Sequence, residues 1–263
     1  MIIKYYIVDA FSETLFSGNQ AGVCLLDTAL DDSIMQNIAA ENNLAETAFV
    51  IKQDNGYGLR WFTPETEIDL CGHATLAAAY VITTFLDNAS DIIYFNTLSG
   101  LLTVVKKGAL LEMDFPARPA KPVIITPLME EAIGVPILEA HLSRDLLLLV
   151  HNEATVRALS PNMDLLKAIP DALGVIVTAK GETSDFVSRF FAPNVDKNAP
   201  EDPVTGSTHC TLIPFWTEKL DKTDFVAYQL SKRGGVLYCE NCGDRVKISG
   251  HAMLYLQGNI QIP

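Results

Sequence analysis

Three short segments of the chain place acidic, imidazole and hydroxyl side chains close together. They read LCGHAT at residues 70–75, EDPVTGSTH at 201–209 and AENNLAETAFV at 40–50. Carboxylates and imidazoles are the usual proton carriers of enzymes, and a glycine at the start of a helix leaves backbone N–H groups open to an anion. The segments therefore predict acid–base chemistry on a small molecule that carries a carboxylate.

Two of these segments lead into apolar helices, predicted over His73–Leu86 and from Ser207 to Leu220. The first is apolar nearly all round, which is typical of a buried helix. The N-terminus of such a helix presents free N–H groups and the positive end of its dipole, and it can hold a carboxylate or a developing oxyanion. The same dipole disfavours an imidazolium, so His73 is expected to be a neutral hydrogen-bonding group.

Glu46 is the candidate general base. It follows a helix predicted over Asp31–Asn42 and begins an apolar strand, so desolvation is expected to raise its pKa towards a useful range. The alternative is an ordinary solvated glutamate at the start of a strand.

A short pattern occurs twice, as RWFTPE at 60–65 and as RFFAPN at 189–194. Each copy is followed by a glycine, Gly72 or Gly206, that opens an apolar helix, and the second copy carries an insertion before EDPVTGS. Because the order of strand, loop, glycine and helix is shared, the chain is predicted to contain two related halves whose helix N-termini face one cleft.

Apolar–polar alternation predicts strands throughout both halves. The predicted strands cover residues 2–8, 21–26, 47–51, 58–62, 92–96, 101–105, 146–150, 174–178, 186–191, 235–239 and 253–257, with a further helix near 128–133. The proline-rich segment PARPAKP at 116–122 is the best linker candidate. It divides the chain into 1–116 and 117–263, with the last strand a candidate to pack back on the first half.

Composition restricts the class of partner. The 263 residues carry a formal net charge of -13 with a sequence pI near 4.7, which disfavours nucleic acid. The N-terminus lacks the pattern of a secretory signal and no apolar run is long enough for a bilayer span, so a cytoplasmic protein without membrane contact is expected. Five scattered cysteines do not form the pattern of a disulfide scaffold.

Five blocks of the sequence, in this order and spacing, resemble the phenazine biosynthesis PhzF-like family. They are SGNQAGV at 17–23, AENNLAETAF at 40–49, LRWFTPETEIDLCGHAT at 59–75, FFAPNVDKNAPEDPVTGSTH at 190–209 and RGGVLYC with GDRVKISGHA within 233–252. The resemblance spans nearly the whole chain. This sequence departs from the family in having Gln20 where the family usually has proline.

The resemblance implies an α+β fold of the diaminopimelate epimerase type. Each of two similar halves would wrap a curved antiparallel sheet round a central helix, with the active site between them and a homodimer as the assembly. It also implies a cofactor-free isomerisation in which a proton moves between carbons. The implied catalytic residues are Glu46, His73, Asp202 and Ser207, and the implied substrate contacts are Gly72, Ala74, Thr205, Gly206 and Asn19.

Two other functions are compatible with the sequence. An amino-acid epimerase or racemase on the same fold would use two facing thiols; Cys71 is a candidate, but its counterpart in the second copy is Thr205, and Cys210 lies further into the helix. A protein that binds small carboxylates without catalysis is the other. Neither a metal nor a nucleotide cofactor is indicated: Cys239 and Cys242 form a lone pair at a hairpin turn predicted over residues 241–244, and no glycine-rich phosphate loop follows a strand.

Overall fold

The computed structural model describes residues 1–87, 89–195 and 199–262. Positions 196–198, within the block at 190–209, therefore lie outside the described residues. The chain forms two compact units: unit 1 contains Met1–Asp114 and Ser249–Pro263, and unit 2 contains Phe115–Ile248. Among the described residues, no helix combines the length and the apolar character needed to cross a bilayer.

Unit 1 is a mixed sheet with two helices. Its elements are β1 (Ile2–Ala10), β2 (Asn19–Leu26), α1 (Asp32–Asn42), β3 (Glu46–Gln53), β4 (Gly56–Phe62), β5 (Glu67–Ile68), α2 (Gly72–Phe85), β6 (Ile92–Thr97), β7 (Gly100–Lys107), β8 (Leu110–Pro116) and, from the end of the chain, β18 (Ala252–Gln261). Strand β1 pairs antiparallel with both β2 and β18. Strands β2 and β3 are parallel, and β4 is antiparallel to β3 and parallel to β6.

Helix α2 is the central helix of unit 1. Ten of its 14 residues are buried, including the run from His73 to Ala79, and it packs on β1, β2 and β3. A helix without a polar face exposes apolar surface to water unless the sheet covers it on several sides, and this exposure is unfavourable. Helix α1 covers another part of the sheet, where Met35 and Ile38 join a cluster with Phe49 and Phe62.

Unit 2 follows the same plan. Its elements are β9 (Lys121–Val123), α3 (Pro127–Ile133), β10 (Glu139–Leu142), β11 (Leu146–Leu149), α4 (Glu153–Ala158), α5 (Met163–Lys167), β12 (Val175–Lys180), β13 (Phe186–Phe191), β14 (Glu201–Asp202), α6 (Gly206–Leu220), β15 (Asp224–Gln229), β16 (Gly235–Asn241) and β17 (Arg245–Gly250). Strands β11 and β12 are parallel, and β13 is antiparallel to β12 and parallel to β15. The pairing order of unit 1 therefore recurs.

One interaction marks the repeat at the level of side chains. Arg60 holds Glu67 through two hydrogen bonds of 2.6 Å and lies over the ring of Phe62. Arg189 holds Glu201 through bonds of 2.6 and 2.9 Å and lies over the ring of Phe191. In both units the bidentate pair ties the long strand to the short strand that leads into the central helix.

Each unit contains parallel pairs beside the antiparallel ones, so the sheet in each unit is mixed, whereas the resemblance implied an antiparallel sheet. Alternation along a strand reveals which side chains are buried but not the direction of the neighbouring strand. The predicted helices were correct to within two residues at each end, with α2 and α6 each beginning one residue earlier, at the glycine.

Candidate active site

In unit 1 the topology brings three predicted site residues together. Strands β2 and β3 are parallel and begin at Asn19 and Glu46, so both side chains lie at the same edge of the sheet, and His73 is the second residue of α2. His73 Nε2 is 3.0 Å from Glu46 Oε2, and His73 Nδ1 is 3.3 Å from Asn19 Nδ2. The Sγ atom of Cys71 lies 3.5 Å from the same Nδ1.

The neighbours of Nδ1 select the tautomer of His73. An amide nitrogen only donates hydrogen bonds, and a protonated thiol donates as well, so Asn19 and Cys71 both favour Nδ1 as an acceptor. In the neutral ring the proton then sits on Nε2, which is the nitrogen that faces Glu46. Cys71 was considered in the sequence as a candidate thiol of an epimerase or racemase, and its contact with His73 is visible only in the structure.

Two polar atoms of this cluster lack a hydrogen-bond partner among the described residues. Glu46 Oε2 and His73 Nε2 are close, but their angle does not suit a hydrogen bond, and both atoms are buried. Only 8% of the His73 side chain and 17% of the Glu46 side chain is exposed. Buried polar atoms are nearly always paired in folded proteins, so this pair is suited to a ligand that supplies the missing contact.

Opposing effects act on the pKa of His73. Burial lowers this pKa, but the negative charges of Cys71 and Glu46 outweigh burial and raise it well above its ordinary value. Burial also raises the pKa of the Cys71 thiol. The helix dipole, from which a neutral His73 was predicted, omits the carboxylate 3.0 Å away, and the charge of His73 stays a prediction.

The same three side chains offer ligand atoms to a metal ion, since atoms of Glu46, Cys71 and His73 lie within 4.8 Å of one another. Thiolate, imidazole and carboxylate are the usual ligands of zinc. One ion binds only one nitrogen of an imidazole, and the nitrogen facing Glu46 is not the nitrogen facing Cys71. The cluster therefore does not fit a three-ligand metal centre well.

In unit 2, Glu201 and His209 of the segment EDPVTGSTH are held by other groups of the protein. Glu201 is held by Arg189, and His209 is fully buried with Nδ1 bonded to the carbonyl oxygen of Thr205 at 2.9 Å. Burial lowers the pKa of His209 to about 4. Neither side chain is therefore placed as a proton carrier for a ligand.

Asp202 and Thr205 form the polar start of α6. Thr205 Oγ1 donates to Asp202 Oδ2 at 2.5 Å. Gln229 joins the two: its Oε1 accepts from the Thr205 N–H at 2.9 Å, and its Nε2 donates to the Asp202 carbonyl oxygen at 2.9 Å. Gln229 is fully buried, and the sequence analysis missed it because it lies 24 residues from Thr205 along the chain.

The first turns of the two central helices are not closed by side chains. The N-cap residues Cys71 and Thr205 make no side-chain cap hydrogen bond, whereas α3, α4 and α5 are capped by Thr126, Asn152 and Asn162. Gly72 and Gly206 begin the two helices, and Ala74 is fully buried in the first turn of α2. These turns can donate backbone N–H groups to an anion.

Ser207, the second residue of α6, has a cationic neighbour that the sequence analysis did not identify. Arg144 Nη2 donates to Ser207 Oγ at 3.0 Å and to Asp145 Oδ2 at 2.6 Å. Residues 144 and 207 are brought together by the fold alone, and no spacing rule in the sequence connects them.

The two units do not carry equivalent chemistry at equivalent positions. Thr47 pairs with Phe62 as Val175 pairs with Phe191, so the counterpart of Glu46 is Gly174. A Cβ atom at Gly174 would lie 2.4 Å from the ring of Phe190, which leaves no room for a carboxylate there. Cys71 likewise corresponds to Thr205, the other N-cap. Unit 1 thus holds a carboxylate at a position where unit 2 has a glycine.

Comparison with known proteins agrees with this architecture. The family model for PhzC–PhzF, described as a phenazine biosynthesis-like protein, matches residues 8–258. The chain belongs to this family. An uncharacterized isomerase of Pseudomonas aeruginosa is 48% identical over 262 residues, covering 100% of both chains. A PhzF-family protein of Enterococcus faecalis superimposes with a TM-score of 0.97 at 48% identity, again over 100% of both chains.

Solved structures with much lower sequence identity share the fold. A hydroxyproline epimerase of Agrobacterium vitis has a TM-score of 0.63 at 9% identity, covering 98% of this chain and 92% of that one. At this identity the likeness shows the fold alone. The PhzF-family protein has the α+β fold of the diaminopimelate epimerase type, with two similar halves.

Proposed function

We propose that this PhzF-family protein is a cofactor-independent isomerase that moves a carbon-bound proton on a small carboxylate. The observation that carries the proposal is the Glu46–His73 pair, whose facing atoms are buried, 3.0 Å apart and without a hydrogen-bond partner among the described residues. A base held in this way is ready to accept a proton from a ligand that enters the site. The isomerase name of the 48% identical relative supports the same class of reaction.

The reaction begins when Glu46 takes a proton from a carbon made acidic by unsaturation or by a neighbouring carboxylate. The C–H bond breaks, its electron pair is delocalised over the substrate, and the proton forms an O–H bond on the carboxyl group. Protonation at a second carbon then restores a neutral skeleton, with Glu46 itself, His73 or Asp202 as the acid. Atoms and electrons balance without an oxidant, a reductant or a co-reactant.

The helix N-termini and Ser207 hold the substrate carboxylate and the developing charge in this proposal. Their open N–H groups are preorganised donors, which stabilise an anion without reorganisation during the reaction. Asn19 fixes the imidazole of His73, while Thr205 and Gln229 fix Asp202. The joint action of both clusters on one substrate, a homodimer and a cytoplasmic location remain predictions from the sequence.

An epimerase or racemase with two thiols is the second candidate, favoured by the contact of Cys71 with His73. This mechanism needs a second proton-accepting group, but Thr205 and Gly174 occupy the positions in unit 2 that correspond to Cys71 and Glu46. Turnover that survives in Cys71→Ala and disappears in Glu46→Ala would support the isomerase. The reverse pattern would support the thiol mechanism.

The experiment that tests the proposal is proton NMR of dihydroaromatic and amino-acid carboxylates in D2O, with wild type and Glu46→Ala in parallel. We expect wild type alone to exchange a carbon-bound proton of one class of compound. Exchange at equal rates by both proteins would overturn the role of Glu46. Binding of a carboxylate without any chemical change would instead support a non-catalytic binding protein.

A further inference from the structure

Arg144 has no role in the reaction described above, yet the fold holds it firmly beside the start of α6. Its Nε and Nη2 atoms both donate to Asp145 Oδ2, at 3.1 and 2.6 Å, and Nη2 also donates to Ser207 Oγ. The Asp145 side chain is 1% exposed, whereas 34% of the Arg144 side chain is exposed. The accessible edge of this ion pair is therefore the guanidinium and not the carboxylate.

The guanidinium of Arg144 lies in an unfavourable electrostatic field. Helix α6 begins at Gly206 without a side-chain cap, so the positive end of its dipole lies next to another positive charge. Burial of Asp145 is the cost of holding Arg144 there, and the second oxygen of Asp145, Oδ1, has no hydrogen-bond partner among the described residues. An arrangement that concentrates positive potential in this way is stabilised when an anion binds.

A second arginine strengthens the local positive potential. Burial raises the pKa of Cys210 to about 11, the charges of Arg118 and Arg144 lower this pKa, and the charge of Asp145 raises it, so all three charged groups lie near this residue of α6. Arg118 is anchored through its backbone N–H to the Cys210 carbonyl oxygen at 2.8 Å. Its Nη1 atom is buried and unpaired among the described residues.

We propose that Arg144 binds the carboxylate of the substrate, beside Ser207 and the first turn of α6. The inference rests on the proposed function, since it identifies the group that recognises the anionic end of the same substrate. The Nη1 donors of Arg144 form no hydrogen bond with the described residues and remain for the ligand. Asp145 and Ser207 fix the orientation of the fork before the ligand arrives, so binding costs little side-chain entropy.

Recognition by Arg144 restricts the substrates to compounds that carry a carboxylate at this position. An anionic carboxylate accepts the charge-assisted hydrogen bonds that Nη1 can donate, whereas a neutral amide of the same shape does not accept them as strongly. The protein should therefore discriminate between a carboxylate and the corresponding carboxamide at this position. Lysine at position 144 would keep the charge but lose the hydrogen bonds to Asp145 and Ser207 that orient the guanidinium.

The probe for the test is 2-aminobenzoate, a stable aromatic carboxylate, with 2-aminobenzamide as its neutral counterpart. Isothermal titration should show that wild type prefers 2-aminobenzoate, and that Arg144→Gln binds it about 10- to 100-fold more weakly. Arg144→Lys should recover part of the loss. Binding of 2-aminobenzamide should change little in either variant.

Arg157→Gln is the matched control. Arg157 pairs with Glu153, another buried carboxylate of unit 2, through a 2.6 Å bond from Nη2. The control removes a guanidinium from a buried acid just as Arg144→Gln does, so it reports the general cost to the fold. It should retain the affinity of wild type for 2-aminobenzoate.

Equal affinity of wild type and Arg144→Gln for 2-aminobenzoate, including no binding by either, would overturn the assignment. The measurement needs no turnover, so its result is independent of Glu46. Loss of discrimination in Arg144→Gln without any proton exchange by wild type would support the carboxylate site and contradict the isomerase. Glu46-dependent exchange with unchanged binding by Arg144→Gln would contradict only the role of Arg144.

Discussion

At the residue scale, two buried histidines near the starts of the central helices have pKa values shifted in opposite directions. The pKa of His73 is raised because Cys71 and Glu46 lie beside it, and the pKa of His209 is lowered to about 4 because burial disfavours its charged form. The segments LCGHAT and EDPVTGSTH look alike in the sequence. The environment of each ring, and not its position in a motif, decides which histidine can take part in proton transfer.

His209 should make the protein sensitive to acid. The unfolded chain protonates His209 near its ordinary pKa of 6.5, whereas the folded chain does so only near 4. Its contribution to the free energy of unfolding is therefore fully present above pH 6.5 and is lost as pH falls towards 4, by about 3 kcal/mol in total.

Chemical denaturation of wild type and His209→Gln between pH 4 and 7 measures this contribution. The variant should lose less stability than wild type as the pH falls, and the exposed His151 provides the control His151→Gln. Parallel curves for wild type and His209→Gln would contradict the buried neutral imidazole.

The acid–base residues illustrate what the sequence could predict at this scale. Glu46 and His73 were predicted from local context and from the family resemblance, and the structure brings them to within 3.0 Å. The direction of the pKa shift of His73 was not predictable, because it depends in part on the carboxylate of Glu46, which is distant in sequence. Arg144 was missed for the same reason, since its contact with Ser207 joins residues 63 apart.

At the element scale, Gln229 connects the last residue of β15 to the start of α6. Its amide accepts a hydrogen bond from the Thr205 N–H and donates one to the Asp202 carbonyl oxygen. Gln229→Leu should lower the free energy of unfolding by about 2–4 kcal/mol, because both of these hydrogen bonds are lost inside the protein.

The same substitution at the exposed Gln257 of β18 is the control, and it should change stability by less than about 0.5 kcal/mol. Denaturation monitored by circular dichroism gives both values. If Gln229→Leu were as stable as wild type, Gln229 would not be the group that fixes the start of α6.

Element prediction succeeded where the hydrophobic pattern was long and failed where it was short. Helices α2 and α6 extend over 14 and 15 residues, and their apolar surface identified them from the sequence. Strands β5 and β14 have only two residues each and depend on the Arg60–Glu67 and Arg189–Glu201 pairs. A strand held by one bidentate ion pair leaves no periodic signal.

At the scale of the whole molecule, the pairing order repeated in both units indicates an internal duplication whose copies have diverged in chemistry. The carboxylate Glu46 corresponds to Gly174, and Phe190 fills the space. The repeat itself was predicted from RWFTPE and RFFAPN. The absence of a carboxylate at position 174 in the second copy was not predicted, because the alignment of the two strands follows from their register and not from sequence similarity.

The C-terminal strand should be essential for unit 1 but not for unit 2. Every residue of β1 from Ile2 to Ala10 has a partner in β18, so deletion of residues 252–263 opens a long edge beside the core. Each unit contains one buried tryptophan, Trp61 in unit 1 and Trp216 in unit 2, which serve as separate reporters.

In the truncated chain with Trp216→Phe, the fluorescence of Trp61 should shift to longer wavelength as unit 1 loses its packing. In the truncated chain with Trp61→Phe, Trp216 should keep the emission of a buried indole. Unchanged emission from Trp61 would show that unit 1 is stable without β18, and a shift of both would show that the units do not fold separately.

The central claim is that Glu46 transfers a carbon-bound proton, and the most direct test is the rate of C–H exchange in D2O for wild type, Glu46→Gln and Glu41→Gln. Glu46→Gln preserves the shape of the side chain but removes the base, so the rate should fall by about 10²- to 10⁴-fold. Glu41 is an exposed residue of α1, and its variant should exchange at the wild-type rate. A Glu46→Gln protein that exchanges as fast as wild type would contradict the account.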